Sequence, residues 1–446
     1  MVFRPSRRQI LSSLLFSTTT GLIVPLISTK SVFAHSSTPT ILKTSQASRF
    51  NPKTDIQPLS NTRQNTHPII MVHGLAGFIT LGPLQYWGGV HNIQVDLQSN
   101  GYTAYPVAIG PFSSNWDRAC ELFAQIKGGT VDYGEAHASK YGHARYGRTF
   151  PGLYPQWGEI NPQTGQINKI HLISHSMGGE TVRILAQLLA NGSADERAAT
   201  AQNQLSPLFI GNQFSWLDSI LTISTPHNGS SAVYLEQTAL PFLPQFITFL
   251  AALQGDHLLF GYDFMLDQWG LVRQPGESLS SYINRVENSK FTSSNDGSGW
   301  DLNPDGASEL NGWVQAQPDI YYFSVGTLQT YRDLLNHHQL PDISMLPLFI
   351  PFSIFIGKYT QNSAGHVIID SSWWPNDGLV STNAMAGPTV NSTDAIVPYS
   401  GTPVKGKWNY LDVMDDYGHL DIIGWGTHDM RPWFRQIAAF LASLPQ

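Results

Sequence analysis

The sequence predicts an α/β protein in which a mostly parallel central sheet carries helices on both faces. Continuous apolar runs rich in β-branched residues occupy residues 68–72 and 170–173, as expected of strands buried on both sides. Residues 180–190 place apolar side chains at helical spacing and are followed by Asn191-Gly192. Strand and helix signals alternate along the chain, which favours parallel strands. Further strands are predicted at 220–224 and 320–325, and a terminal helix at 431–444.

The composition agrees with one large folded domain. Of the 446 residues, 41% are hydrophobic, 11% are aromatic and only 13% are charged, which excludes a disordered or coiled-coil protein. The net charge of −7, with no basic stripe, argues against a nucleic-acid partner. Because Cys120 is the single cysteine, an intrachain disulfide and a cysteine-based zinc site are both excluded. Packing must therefore stabilise the fold, and any metal that contributes would be bound through nitrogen and oxygen.

The first 34 residues have the organisation of an export signal. Arg7-Arg8 precede a mildly apolar run, and Ser31-Val32-Phe33-Ala34 resembles a cleavage site. The paired arginines predict the twin-arginine route and hence a secreted protein. The apolar run is short and interrupted by Ser, Thr, Gly and Pro, so no transmembrane anchor is expected. Residues 35–65, rich in polar residues and proline, predict a disordered linker, and residues 66–446 predict the folded domain.

The turn after the second predicted strand is the candidate for a nucleophile. Ser176 lies in the pattern Ser-x-Ser-x-Gly between that strand and the following helix, which is the setting of a nucleophile elbow. Such a serine adopts a strained backbone, so the residues two positions before and after it must be small. Gly178 meets this requirement, whereas Ser174 stands where glycine is usual.

A serine hydroxyl needs a base to remove its proton and a carboxylate to orient that base. In this architecture the acid and then the histidine follow the serine along the chain. His419, in a polar loop before the terminal helix, is favoured among the downstream histidines His227, His257, His366, His419 and His428. Asp377, in a turn leading to an apolar segment, is the favoured acid, and Asp370 and Asp412 remain alternatives. The backbone amides of Leu75 and Met177 are placed to form an oxyanion hole.

Four longer motifs resemble the bacillus-type and staphylococcal secreted triacylglycerol lipases, which have an α/β-hydrolase core with a zinc-bearing insertion. These motifs are GPFSSNWDRACE at 110–121, GGTVDYG at 128–134, HAR at 143–145 and LDQWGL at 266–271, and the likeness covers residues 66–446. The resemblance implies a catalytic triad of Ser176, Asp377 and His419. It also implies oxyanion donors at Leu75 and Met177.

The same resemblance implies two metal ions. A structural Zn²⁺ would be held by Asp117, His137, His143 and Asp296, although the residues alone favour surface positions for the two histidines. A Ca²⁺ near the catalytic histidine would involve Asp421 and the backbone carbonyl of Ser344. Gly426 stands where the family has a second carboxylate, and Asp429 is the alternative source of one.

Residues 231–262 are unusually apolar, which indicates either a buried helix or a lid over a lipid pocket. Their position resembles the mobile helix of these lipases, so we expect a helical lid that opens at an oil–water interface. The predicted function is hydrolysis of long-chain acylglycerols through an acyl-enzyme. A carboxylesterase or polyesterase with the same triad, and a catalytically inactive binding module of the same fold, are the alternatives.

Overall fold

The computed structural model describes residues 51–53, 55–235 and 262–445. At its centre lies a seven-stranded sheet in which every neighbouring pair of strands is parallel. Its strand order is β12-β13-β9-β8-β7-β1-β4, and three two-stranded antiparallel sheets (β2-β3, β5-β6 and β10-β11) surround it. The strands are β1 Ile69–Val72, β2 Thr80–Leu81, β3 Leu84–Gln85, β4 Ala104–Pro106, β5 Gly129–Asp132, β6 Tyr146–Phe150, β7 Ile170–His175, β8 Leu217–Ile223, β9 Tyr321–Leu328, β10 Thr330–Arg332, β11 Gln339–Pro341, β12 Ile396–Pro398 and β13 Trp408–Asp415.

Helices cover both faces of this sheet. They are α1 Ile93–Ser99, α2 Asn115–Lys127, α3 Glu135–Tyr141, α4 Gly178–Asn191, α5 Ala194–Ala199, α6 Pro207–Ile210, α7 Leu279–Glu287, α8 Ser298–Asp301, α9 Pro304–Asn311, α10 Ile350–Ile356 and α11 Arg431–Ala442. Short 3₁₀ segments include Asp267–Trp269, Ser371–Trp373 and Asp421–Ile423.

Two cores form because consecutive side chains of a strand point to opposite faces of a sheet. Met71, Ile173, Leu221 and Phe323 pack on one face with residues of α1 and α11. Their chain neighbours Ile70, Leu172, Ile220 and Tyr322 pack on the other face with α2 and α4. Strands β1, β7 and β8 are covered on both sides, and every residue in them is buried. The predicted fold class, its strands and its two main helices are confirmed.

Residues that precede the predicted domain boundary at 66 also pack against the domain. Ile56 is completely buried, and the buried Asn65 side chain donates a hydrogen bond to the carbonyl of Leu441 at 3.0 Å. The indole of Trp433 likewise donates to the carbonyl of Pro52. A lone apolar residue in a polar stretch carries no periodic signal, and its partners lie almost the whole domain away in sequence. Composition therefore predicts a linker in a stretch where Pro52 and Asn65 form hydrogen bonds with residues of α11.

Several predicted features lie outside the described residues. These are the export signal at 1–34, most of the linker and nearly all of the apolar segment at 231–262. In the part of the chain that the structure describes, no helix combines the length and apolar character needed to cross a membrane.

Candidate active site

Ser176 occupies the sharp turn between β7 and α4. Its φ of 56° lies in the left-handed region, which is strained for a residue with a Cβ atom. The turn brings neighbouring backbones into close contact, since a Cβ added at Gly178 would lie 2.5 Å from the carbonyl oxygen of Val72. Ser174, where glycine is usual, is accommodated with its hydroxyl 3.3 Å from the carbonyl of Leu221. Both steric conditions of a nucleophile elbow are met.

Three residues that are distant in sequence meet at the carboxyl end of the sheet. Nε2 of His419 lies 2.8 Å from Oγ of Ser176, and its Nδ1 lies 2.7 Å from Oδ2 of Asp377. All three residues are buried. The neutral imidazole can accept the hydroxyl proton at Nε2 while Nδ1–H donates to the carboxylate. The geometry is therefore that of a Ser–His–Asp arrangement in which the hydroxyl of Ser176 can act as a nucleophile.

The carboxylate of Asp377 is held by further donors. Oδ2 accepts a hydrogen bond from the hydroxyl of Thr327 at 2.7 Å, and Oδ1 accepts from the backbone amides of Leu379 and Val380. The backbone amide of His419 donates to the carbonyl of Asp377 at 2.9 Å, so the acid and base loops are also joined through the main chain. Thr327, at the end of β9, was not predicted.

Two backbone amides flank the hydroxyl of Ser176. Leu75 follows β1, and Met177 follows the serine itself. Within the described residues, no protein acceptor receives the N–H of either one. The loop bearing Leu75 is supported by Arg118, a fully buried side chain that donates to the carbonyls of His73 and Gly110. Burial lowers the pKa of Arg118 to about 10, so it remains a cation at neutral pH.

A hydrogen-bonded chain that the sequence did not reveal lies behind the serine. The amide of Gly74 donates to the hydroxyl of Tyr86 at 2.8 Å, and that hydroxyl donates to Nδ1 of His175 at 2.7 Å. Nε2–H of His175 donates to the carbonyl of His419 at 2.8 Å. Burial holds the pKa of His175 well below its usual value, so the ring is neutral, as this chain of donors requires. The signal available in the sequence was its place next to Ser176.

A cleft of about 830 Å³, counted with its open mouth, leads to the serine. Among the described residues that line it, all except Ser176, His175, His419 and Ser230 are apolar or aromatic. Leu75, Val233, Phe349, Phe352 and Trp425 are among them. Such a lining suits a hydrocarbon chain and offers no cluster of charges for a polar substrate.

The remaining candidates are placed elsewhere. His227 is buried beside Thr222, His366 pairs with Asp305, and His428 packs on Tyr417. Asp370 caps a 3₁₀ helix, Asp412 lies at a bulge in β13, and His257 lies outside the described residues.

A second cluster joins Asp117, His137, His143 and Asp296, as the family resemblance implied, and their ligand atoms all lie within 4.8 Å of one another. Oδ1 of Asp117, Nε2 of both histidines and Oδ2 of Asp296 are buried without a close hydrogen-bond partner. Buried polar atoms of this kind normally have a partner, and these four are nitrogen and oxygen atoms that bind metals. These residues can therefore hold a metal ion.

Outer contacts orient these ligands. Nδ1–H of His143 donates to the carbonyl of Ala144 at 2.9 Å, which leaves Nε2 free to bind a metal. The ring of His137 stacks on Trp116, and Gln268 donates to the second carboxylate oxygen of Asp117 at 2.8 Å. Burial disfavours the imidazolium of His137, yet the carboxylates of Asp117 and Asp296 close to its Nε2 raise its pKa to about 9. The cluster thus attracts positive charge.

The predicted calcium ligands are joined by a side chain. Nε2 of Gln329 lies 2.9 Å from Oδ2 of Asp421 and 3.2 Å from Oγ of Ser344. Asp429, the alternative carboxylate, is paired with Arg431 at 2.8 Å.

Comparison with known proteins gives a family match and several similar proteins. The model of the family "Lipase-like, C-terminal domain" matches residues 65–445. Lipase 1 of Staphylococcus aureus (strain MRSA252) is 39% identical over 377 residues, which are 82% of this chain and 52% of that protein. The chain thus spans about half the length of the staphylococcal relatives it matches.

Two solved structures are similar over most of their length. EstA from Clostridium botulinum is 43% identical with a TM-score of 0.81, covering 87% of this chain and 91% of that one. Lipase 1 from Pelosinus fermentans is 48% identical with a TM-score of 0.78, covering 86% of this chain and 100% of that one. The parallel sheet, the elbow and these matches identify the fold as an α/β-hydrolase.

Proposed function

We propose, from the premise that this chain belongs to the family of lipase-like C-terminal domains, that it is a secreted lipase acting on long-chain acylglycerols. The observation that carries the proposal is the continuous hydrogen-bonded path from Asp377 through His419 to Ser176, with distances of 2.7 and 2.8 Å, at the base of an apolar cleft. Binding without catalysis would not require a serine hydroxyl joined to an imidazole and a carboxylate in this way.

The proposed reaction proceeds through an acyl-enzyme. Oγ of Ser176 attacks the ester carbonyl as His419 takes its proton, and Asp377 stabilises the resulting imidazolium. The amides of Leu75 and Met177 receive the charge that develops on the carbonyl oxygen. His419 then protonates the leaving alcohol, and a water molecule, activated in the same way, releases the fatty acid and restores the serine.

The substrate class follows from the cleft. Each methylene transferred from water to an apolar wall contributes about 0.8 kcal/mol to the free energy of binding, so a lining of this kind favours long acyl chains. The names of the similar proteins, Lipase 1 among them, support the same class. Under this proposal, residues 231–262 act as the lid, residues 1–34 direct export by the twin-arginine route, and the enzyme works at an oil–water interface.

We further propose that the metal held by Asp117, His137, His143 and Asp296 is zinc. Two carboxylates and two imidazoles match its preference for tetrahedral N/O sites, and four protein ligands leave no open position for catalysis. In a tetrahedron with bonds of roughly 2.0–2.1 Å, neighbouring ligand atoms lie about 3.4 Å apart. With Oδ2 of Asp296 as the ligand atom, Nε2 of His143 lies 3.1 Å from it, and Oδ1 of Asp117 lies 3.3 Å from Nε2 of His137 and 3.9 Å from Nε2 of His143, which supports that arrangement. The zinc would fasten the insertion to the core.

The decisive experiment compares Ser176→Ala with the native protein on emulsified long-chain triacylglycerol and on a dissolved short-chain ester. We expect the variant to lose at least about 10³-fold in kcat on both substrates. Ser99→Ala, at an exposed helical serine, is the matched control and should be fully active. Retained activity in Ser176→Ala would reject the assignment of the nucleophile. Faster turnover of the dissolved ester than of the emulsion would replace the lipase by a carboxylesterase.

A further inference from the structure

The loop that carries His419 has to be held against the sheet. His419 lies between β13 and the 3₁₀ segment Asp421–Ile423, beyond the end of any strand. The family resemblance implies a calcium ion at this place, bound by Asp421 and the carbonyl of Ser344. The side chains of this chain allow a direct test of whether such an ion fits.

Gln329 lies where the resemblance places the cation. It is only 3% exposed, and its Nε2 donates to Oδ2 of Asp421 at 2.9 Å and to Oγ of Ser344 at 3.2 Å. Oδ2 of Asp421 also accepts the amide of Gly418, the residue before His419, at 3.0 Å. Oδ2 of Asp421 thus accepts two N–H donors, which a cation bound at this oxygen would have to displace.

The surroundings contain too little negative charge for calcium, which takes six to eight oxygen ligands, several of them charged. Gly426 has no side chain, so the position that would supply the second carboxylate supplies none. Asp429 is paired with Arg431, and Oδ1 of the half-buried Asp342 accepts the hydroxyl of Ser344 at 2.6 Å. Within the described residues, the one convergent group of acidic and histidine ligands is the Asp117 cluster.

Gln329 also contacts the acid loop. Its backbone amide donates to the carbonyl of Asn376, the residue before Asp377, at 3.0 Å. Its backbone carbonyl accepts the amide of Asp342 at 2.9 Å. The end of β9 therefore connects the loop of the acid and the loop of the base through one residue.

We propose that Gln329 is a positioning residue that replaces calcium. Its uncharged amide groups form hydrogen bonds that hold the loops of Asp377 and His419 in place. The catalytic site is then independent of calcium. This inference rests on the proposed ester hydrolysis only for its kinetic consequences, because the absence of a calcium site can be measured without any substrate.

The first arm measures calcium itself. Native protein and Ser176→Ala, depleted of calcium and with their other metal content verified, are titrated with CaCl₂ in a calorimeter and by thermal melting. We expect no heat of specific binding and no rise in Tm for either protein. Saturable binding with a higher Tm would overturn the proposal, whether or not the protein hydrolyses esters. Absence of all ester hydrolysis, with no calcium binding, would reject the proposed function alone.

The second arm tests positioning. Gln329→Leu should lower kcat by about 10- to 100-fold with little change in KM, because the base is misplaced while the cleft is intact. Gln317→Leu is the matched control, since Gln317 is a buried glutamine beyond the opposite end of β9, and its kcat should be unchanged. An unaltered kcat in Gln329→Leu would overturn the role.

The third arm restores a metal site and remains informative if Gln329→Leu does not fold. Gln329→Glu places a second carboxylate beside Asp421, so repulsion should lower kcat in calcium-free buffer. Added calcium should bind between the two carboxylates and recover kcat at least several-fold, while the native enzyme stays unaffected. Full activity of this variant without calcium would contradict the proposal.

Discussion

Replacing Tyr86 by phenylalanine tests whether the hydrogen-bonded chain behind the serine supports the catalytic site. The ring is buried between Phe78 and Trp87, and phenylalanine retains these contacts. What is lost is the hydroxyl, which accepts from Gly74 at 2.8 Å and donates to His175 at 2.7 Å. The missing oxygen atom leaves a space too small for a water molecule to restore either bond.

The size of the effect follows from those two groups. Each buried polar group left without a partner costs about 1–3 kcal/mol, so two such groups should lower the free energy of unfolding by about 2–6 kcal/mol. For a domain of this length one kcal/mol corresponds to about 1 °C, hence Tm should fall by about 2–6 °C. Because the same chain ends on the carbonyl of His419, kcat should also fall several-fold.

Differential scanning calorimetry at a fixed scan rate and steady-state hydrolysis measure the two quantities. Tyr102→Phe is the matched control, because phenylalanine keeps the stacking of Arg63 on the ring, 4.0 Å from its centroid. Its Tm should stay within about 1 °C of the native value. If Tyr86→Phe melts with the native protein and retains full kcat, the chain does not hold the site.

Three further predictions address the acid, the core and the metal. Thr327→Val removes one donor to Asp377 and should lower kcat about 10-fold at constant KM, measured by steady-state hydrolysis. Burial lowers the pKa of His171 from 6.5 to about 4. As pH falls from about 6.5 to 4, this histidine is therefore protonated in the unfolded chain but not in the folded one, and the free energy of unfolding decreases. In urea titrations over that range, the free energy of unfolding of His171→Gln should decrease by about 3 kcal/mol less than that of the native protein. Asp296→Asn should reduce bound metal from one equivalent to near zero by emission spectrometry and lower Tm by about 4 °C or more, with no further fall on adding chelator.

The elbow could be predicted because its signal is local. A buried strand, Ser176 with Gly178 two residues later, and an amphipathic helix lie within a short stretch of chain. The base was harder to identify, since His419 follows the serine by 243 residues and only chain order and a loop setting favoured it. The geometry that selects it comes from the strand order, in which β13 and β9 return beside β8 and β7.

The supporting residues could not be predicted for a related reason. Nothing in the sequence identifies the roles of Thr327, Gln329, Tyr86 and His175, because each acts through hydrogen bonds to residues far away in sequence. A tyrosine in an apolar stretch looks the same whether its hydroxyl is exposed or bound. The same limit applies to Ile56, which is recognisable as a core residue only when the packing of the folded chain is known.

The metal group and the oxyanion loop are connected through two adjacent residues of α2. Asp117 faces the metal cluster, while the next residue, Arg118, donates to the carbonyls of His73 and Gly110 beside the loop of Leu75. A displaced first turn of α2 would therefore move the donors that hold this loop. A cation with no open coordination position can then influence turnover without touching the substrate, because it fixes the helix from which Arg118 extends.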